Sequence, residues 1–387
     1  MCERALDFVD ECYANEDLSL LSKLTLVIPT YNRNYYLSRC LWYHAHFPFG
    51  QIIVADSSPE EKKVVNRETV EKIRSLFHAN ILYLDYKPET EVYGGDIYRK
   101  WADAVQHVEN EYSQIIADKE FVIPTTLVSS ISYLQKHQDY MISDGNYLML
   151  NKYGDKKYYL NYWRKNQKSL SQDTSIGRLE NANDAQSFPL MATHRSKEHK
   201  KVYSSFLEHG CQTLTFGEIY IELIDMISGK YNHDTSMLHI VRDISHNPAK
   251  YGVNREESSY HRYPIAKDLP KELAESELIC IASEMEMKIM ESNGMNIVST
   301  YSTWISQFLL SYIEQRFVGS NMSVAHPTLH KYWCRLPLKI RHIVKFIMPL
   351  FGKNNSAIIL KRNAEMDVII QIIRDSDMYH VIDKTII

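Results

Sequence analysis

The sequence predicts an α/β protein, a mostly parallel sheet flanked by helices with a C-terminal helical extension. Three observations predict it. Short apolar runs alternate with helix-length amphipathic stretches through the first third of the chain. The runs stop abruptly in polar residues, at Thr30–Arg33, Asp56–Ser58 and Asp118–Glu120. From Lys271 to Arg316 the chain is almost entirely helix-compatible.

Taken in order, residues 1–20 form a short helical arm with Ala5, Phe8, Val9 and Cys12 on one side. Lys23–Ile28 is the first strand, stopped by the turn residues Pro29–Asn34. A helix follows, with Tyr36, Leu37, Cys40, Leu41 and Tyr43 at helical spacing. Gln51–Ala55 is a second buried strand, Glu60–Arg74 a charged helix and Asn80–Leu84 a third strand. Gly94-Gly95 opens a helix through Tyr98, Trp101, Ala104, Val105 and Val108. Gln114–Ala117 is the fourth strand and Thr125–Lys136 the next helix. Tyr140–Ser143 and Tyr147–Leu150 read as a hairpin around Asp144-Gly145-Asn146. Asn151–Asn183 is polar and Tyr-rich, suited to loops or edge strands. Phe188–Arg195 reads as one more strand. Ile219–Ile227 is a helix after Phe216-Gly217-Glu218, with Gly229 as its C-terminal cap. Ser236–Val241 is a further strand. A change to Asn, Pro, Gly and charge over 247–270 places a domain boundary near 250, giving a sheet domain of 21–250 and a helical extension of 251–330.

Composition narrows the function. With 387 residues, 44% hydrophobic and a formal net charge of -4, the chain offers no global electrostatic attraction for nucleic acid. Its six cysteines include no Cys-x-x-Cys pair, which argues against a zinc knuckle and suits a reducing cytoplasm. The acidic N-terminus lacks a basic-then-apolar leader, and no apolar run is long enough to span a bilayer. Residues 331–387 form a separate C-terminal region. Its stretch 331–362 carries Lys331, Arg335, Lys339, Arg341, Lys345, Lys353, Lys361 and Arg362 and no acid, with Leu336, Ile340, Ile343, Val344 and Ile347 on one helical face. Such a helix lies on an anionic membrane surface; a helix packed on the core with a solvated basic edge has the same pattern. The expected location is cytoplasmic, peripheral on the inner face of the cytoplasmic membrane.

Successive parallel strands expose the same end, so Thr30–Arg33, Asp56–Ser58 and Asp118–Glu120 converge on one crevice. Two carboxylates one residue apart, Asp118 and Glu120, suit a divalent cation held against phosphate. Val27-Ile28-Pro29-Thr30-Tyr31-Asn32-Arg33, with Val54-Ala55-Asp56-Ser57-Ser58 about two dozen residues on, resembles the nucleotide-sugar-binding half of GT-A glycosyltransferases. It is most similar to the family 2-like proteins of bacterial surface-polysaccharide clusters, in which the fourth strand ends in an acidic run and then Pro. The chain has Asp118-Lys119-Glu120-Phe121-Val122-Ile123-Pro124 there. The resemblance covers about residues 22–245 and implies the Rossmann-like GT-A fold. It implies transfer of a sugar from a nucleotide-diphosphate sugar to a hydroxyl of a glycan or lipid-linked acceptor.

The roles it implies are specific. The loop residues Thr30, Tyr31, Asn32 and Arg33, with Asp56, contact nucleobase and ribose, Asp56 accepting a hydrogen bond from the base, and Pro29 belongs to the same nucleotide-sugar site. Asp118 and Glu120 hold Mg²⁺ or Mn²⁺ on the sugar diphosphate. Glu218 is the general base of an inverting reaction. Lys119 departs from the family pattern, as a cation between the acids that can itself pair with phosphate. Arg195 and Arg242, with His194, approach the diphosphate or the acceptor, since Arg makes bidentate bonds to phosphate. Lys100 faces the nucleotide crevice, and His246 is a further metal-ligand candidate. Structural roles compete for each: a helix-start charge for Glu218, salt bridges for the arginines, a lone structural histidine. Two other classes stay open. A nucleotidyltransferase shares the sheet and acidic site, but Pro29–Asn34 has no Gly or Lys. A non-catalytic nucleotide-sugar or glycan binder is the other.

Overall fold

The computed structural model describes residue 9 and residues 11–88, 96–153, 157–162, 167–185, 189–243, 271–293, 304–309, 311–313 and 369. Gly94-Gly95, His246, residues 251–270 and the basic stretch 331–362 lie outside the described residues. Of the N-terminal arm, Val9 and residues 11–13 are helical.

Every position of β1 (Leu24–Thr30) is buried, as a central strand covered on both faces must be. α1 (Asn34–His44) lays Tyr36, Leu37, Cys40, Leu41 and Tyr43 inward. β2 (Gln51–Asp56) is again wholly buried. α2 (Glu60–Phe77) starts on Glu60 and Glu61, whose charges suit the positive end of the helix. β3 (Ile81–Asp85), α3 (Asp96–Gln106) and β4 (Tyr112–Ile115) complete a parallel half. Its register sets Thr30 beside Asp56, Asp56 beside Asp85, and Val27 beside Ile115.

The link after β4 is a tight turn at Asp118-Lys119, closed by the Glu120 N–H on the Ala117 carbonyl at 2.9 Å. β5 (Glu120–Val122) follows where the sequence suggested only a connection, and α4 (Pro124–Lys136) begins on its proline. Next come β6 (Tyr140–Tyr153), β7 (Lys157–Tyr162), α5 (Ser175–Ala185), a 3₁₀ turn at Pro189–Met191, and β8 (Thr193–Arg195). The domain's described part ends with α6 (Ser196–His209), α7 (Leu214–Ser228) and β9 (Lys230–Asp243).

The nine strands run β3-β2-β1-β4-β8-β6-β9-β5, with β7 beside β6. β8 is antiparallel to β4 and β6, and β5 is antiparallel to β9; β6 and β9 are parallel. Five residue steps join the end of β4 to β5 and reach at most about 17 Å. Four strand spacings in a flat sheet need about 19 Å. A link that also contains a tight turn therefore forces the strand path to curl back. Gln114 of β4 shows this directly: its Nε2 lies 3.1 Å from His239 Nε2 of β9 and 2.9 Å from the Met191 carbonyl.

Two sequence expectations are corrected, and a third is refined. The residues read as a hairpin form the single strand β6, because the irregularity sits in its partner. Gly145 pairs with Asp234 and Asn146 with Leu238, so residues 235–237 bulge out of β9. Asn146 Nδ2 binds the bulge carbonyls of Thr235 at 2.7 Å and Met237 at 3.0 Å. A Cβ on residue 145 would stand 2.7 Å from the Met237 carbonyl oxygen, which is why glycine is there. Gly229 is the C-cap of α7 as expected, in an extended conformation (φ -177°, ψ 179°), and its missing side chain makes room for Met141. Phe188–Arg195 is not one strand: it holds the 3₁₀ turn and the three-residue β8.

α8 (Lys271–Asn293) packs along α7, burying Ile281, Met285 and Ile289 as their spacing predicts. Glu277 accepts the Gln212 N–H at 2.7 Å, and Glu284 accepts the Ser205 hydroxyl. Ile305, Phe308 and Leu309 are buried too, and Tyr312 Oη donates to Glu222 at 3.1 Å. Among the described residues, no helix is long and apolar enough to cross a membrane.

Candidate active site

The carboxyl ends of β1, β2 and β4 meet in one crevice, as the sequence predicts, and a network of side chains joins them. The Thr30 hydroxyl, at the end of β1, donates to Asp118 Oδ2 at 2.9 Å. Arg33, just before α1, approaches Asp118 Oδ1 at 3.3 Å. Lys100 reaches in from α3 and donates to the Thr30 carbonyl at 3.1 Å and to Ser57 Oγ at 2.7 Å. The Thr30–Arg33 loop turns through Asn32, whose φ of 54° is a left-handed value that Asn tolerates. Its N–H donates to Ser58 Oγ at 2.8 Å. Pro29 is inside β1, beside Ala55, and Tyr31 is partly exposed at the loop.

Asp56 is turned into the protein. Its carboxylate is fully buried and accepts from Ser58 N–H at 2.8 Å, Asn66 Nδ2 at 2.6 Å and Tyr83 Oη at 2.7 Å. These donors engage both oxygens, so Asp56 shapes the β2 end by holding α2 and β3 to it. Burial, with the hydrogen bond to Asp56 behind it, pushes the Tyr83 hydroxyl far above its usual range.

The turn at the end of β4 carries the charge. Glu120 and Arg242 sit directly opposite each other on antiparallel β5 and β9, so their pairing is a cross-strand pair. The Arg242 guanidinium, through Nε and Nη2, grips Glu120 Oε1, while Glu120 Oε2 accepts the Ala117 N–H at 2.8 Å. Lys119 stands between the two acids, and its carbonyl accepts the Asp243 N–H at 3.0 Å. Burial, and after it Arg242 and Arg33, bring the Lys119 ammonium down to about 8. Among the described residues, no three or more His, Cys, Asp or Glu side chains are placed to hold a metal ion together.

Sequence reasoning missed the support beneath this turn. Arg39 of α1 is buried, its Nη1 is 2.7 Å from Asp243 Oδ2, and its guanidinium lies over the rings of Phe121, Tyr36 and Tyr35. No guanidinium nitrogen of Arg39 makes a well-aligned hydrogen bond among the described residues. Burial, with Asp243 next, raises Tyr36 to about 12. The available signal was a charged residue inside the apolar stripe Tyr36–Tyr43.

Glu218 lies in the second turn of α7, whose start is capped by Thr213 accepting the Phe216 N–H at 3.3 Å. Tyr98 Oη, on α3 two residues before Lys100, donates to Glu218 Oε2 at 3.4 Å. Arg195 and His194 are corrections. β8 pairs with the start of β4, Arg195 opposite Tyr112, which is the far end of the sheet from the crevice. Arg195 there binds the carbonyls of Tyr140 at 2.8 Å and His137 at 3.2 Å, and that of Leu134, closing the C-terminus of α4. His194 is buried with its Nε2 3.4 Å from Asp225. A groove of about 600 Å³ lined by Asn110, Tyr112, Arg195 and Lys200 lies at that same far end, away from the converging loops.

No protein-family model and no curated protein sequence matches the chain. Among solved structures it is similar to S. aureus TarS, residues 1–349, in complex with UDP-GlcNAc, at 10% identity over 82% of this chain and 77% of that one, with a TM-score of 0.49. A second S. aureus TarS structure aligns at 13% identity over 89% of this chain and 54% of that one, TM-score 0.46. The mannosyltransferase PcManGT from Pyrobaculum calidifontis, in complex with GDP-Man and Mn2+, aligns at 10% identity over 80% of this chain and 97% of that one, TM-score 0.36. At such identities and scores, function rests on the chain's own residues.

Proposed function

We propose that the protein is an inverting glycosyltransferase that moves a sugar from a nucleotide-diphosphate donor to a hydroxyl of a glycan or lipid-linked acceptor, in surface-polysaccharide synthesis. One observation carries the reading: Thr30, Arg33, Lys100, Asp118, Lys119 and Arg242 gather at the carboxyl ends of the parallel strands, where open α/β sheets take their ligands. In this reading the Thr30–Arg33 loop receives the nucleoside. Basic side chains meet the charge that develops on the departing diphosphate. Glu218 takes the proton from the acceptor hydroxyl as it attacks the anomeric carbon.

The test is release of nucleoside diphosphate from a panel of nucleotide sugars offered with hydroxyl acceptors. Glu218→Gln is expected to lower kcat by about 10²–10⁴-fold, the usual worth of a general base, with nucleotide affinity retained. Unchanged turnover in that variant removes Glu218 from the base role. Binding without turnover for any donor and acceptor favours a non-catalytic binder.

Membrane attachment belongs to the same proposal, through the basic residues of 331–362. Each basic side chain adds about 1 kcal/mol at an anionic surface. The full chain should pellet with anionic vesicles and not with neutral ones, and Lys339→Glu/Lys345→Glu should stay in the supernatant. Equal partitioning of both proteins defeats it.

A further inference from the structure

Resting on that reading of the crevice, we infer that the donor's diphosphate is held by a cationic clamp of Arg33, Lys119 and Arg242 in place of a divalent cation. The acid pair does not fit a metal as this chain folds. A hard dication on a diphosphate takes oxygen ligands at about 2.0–2.6 Å, at least one of them a carboxylate oxygen that is available to it. Glu120 is fully buried, with one oxygen on the Ala117 N–H at 2.8 Å and the other on Arg242. Asp118 spends its oxygens on Thr30 at 2.9 Å and Arg33 at 3.3 Å. An ion set between them would sit against two guanidinium groups and an ammonium.

The same arrangement suits an anion. Among the described residues, Arg33, Lys119 and Arg242 face two carboxylates, Asp118 and Glu120, one more positive group than negative among these five. Each acid is a positioning residue: Asp118 holds Arg33 and Glu120 holds Arg242 at the crevice. The side chains of Arg33 and Arg242 are 20% and 14% exposed, enough to meet a ligand from the crevice. Among the described residues, no hydrogen bond or ion pair engages the Lys119 ammonium, yet its backbone is pinned by Asp243 N–H at 3.0 Å. It is a cation projected from a fixed turn. Anchored donors aimed at a polyphosphate do the charge work of a metal without recruiting one.

The experiment is calorimetric binding of UDP, GDP, CDP, ADP and TDP to the full chain, in excess EDTA and again with Mn²⁺. At least one is expected to bind in EDTA within about threefold of its affinity in Mn²⁺. Mn²⁺ alone is expected not to bind. Lys119→Ala should weaken that nucleotide about ten- to a hundredfold, the range of a charge-assisted bond, and Lys119→Arg should keep most of the affinity. Affinity that vanishes in EDTA and returns with Mn²⁺ overturns the clamp and leaves the glycosyltransferase reading standing. So does full affinity in a Lys119→Ala protein with a wild-type thermal transition. No binding of any nucleoside diphosphate in either buffer overturns the clamp and the reading together. Because the EDTA comparison uses the unaltered protein, the outcome does not depend on a variant folding.

Discussion

Asp243→Ala is expected to destabilise the protein by about 3–5 kcal/mol, the loss seen when one partner of a buried ion pair is removed. The variant leaves the Arg39 guanidinium, 1% exposed, without its counter-charge and still beneath three aromatic rings. The pair itself is a poor stabiliser, because desolvating two charges offsets most of their attraction. Arg39→Met/Asp243→Leu should therefore be far closer to wild type than Asp243→Ala. Urea midpoints of the three proteins check this. A double variant as unstable as the single one would mean that the charges, not the packing, hold α1 to the end of β9.

The second large effect is acid lability. Burial brings His44 down to about 3 and His239 to about 4, and it holds His199 well below the usual range. The geometry agrees for His44: Nδ1–H donates to the Cys40 carbonyl at 2.8 Å, leaving Nε2 to accept the Val122 N–H at 3.3 Å. A second proton would break that bond. These folded-state values lie below the unfolded value of about 6.5, so the contribution to stability is complete above about 6.5 and is lost as pH falls through and below it. The slope approaches 1.4 kcal/mol per pH unit for each histidine, or roughly 6 kcal/mol for three by pH 5. That is comparable with the whole stability of a typical domain. Urea unfolding at pH 7.5 and pH 5 should show the fall, and His239→Gln should reduce it by about a third. A midpoint that does not move across that range refutes the neutral-histidine account.

What the sequence made legible follows from how each strand is covered. β1 and β2 are buried on both faces, so they read as continuous apolar runs, and their polar ends marked the crevice at Thr30 and Asp56. β5 was not legible because its partner lies about 120 residues away and only three residues pair. That same distant pairing decides Glu120: a carboxylate written as a ligand in the sequence becomes an arginine's partner once β9 lies beside it. Asp144-Gly145-Asn146 is good turn chemistry, yet a bulge in β9 takes up the irregularity and β6 runs straight through. Arg195 was placed at the wrong end of the sheet because a strand's direction is not encoded in its own three residues. Lys119 breaks the acidic pattern in the sequence itself, and the structure adds that its backbone is fixed by Asp243.

The grip of Arg242 on Glu120 also has a bearing on biosynthesis in time. The two residues are 122 positions apart, and β5 docks only against a finished β9. Closing so wide a loop is a late, entropically opposed step. A nascent chain still on the ribosome thus carries Thr30, Arg33 and Asp118 long before it possesses the opposing jaw. If the clamp holds the donor, its full set of cations is assembled only after residue 242 has been made and β9 has paired with β5.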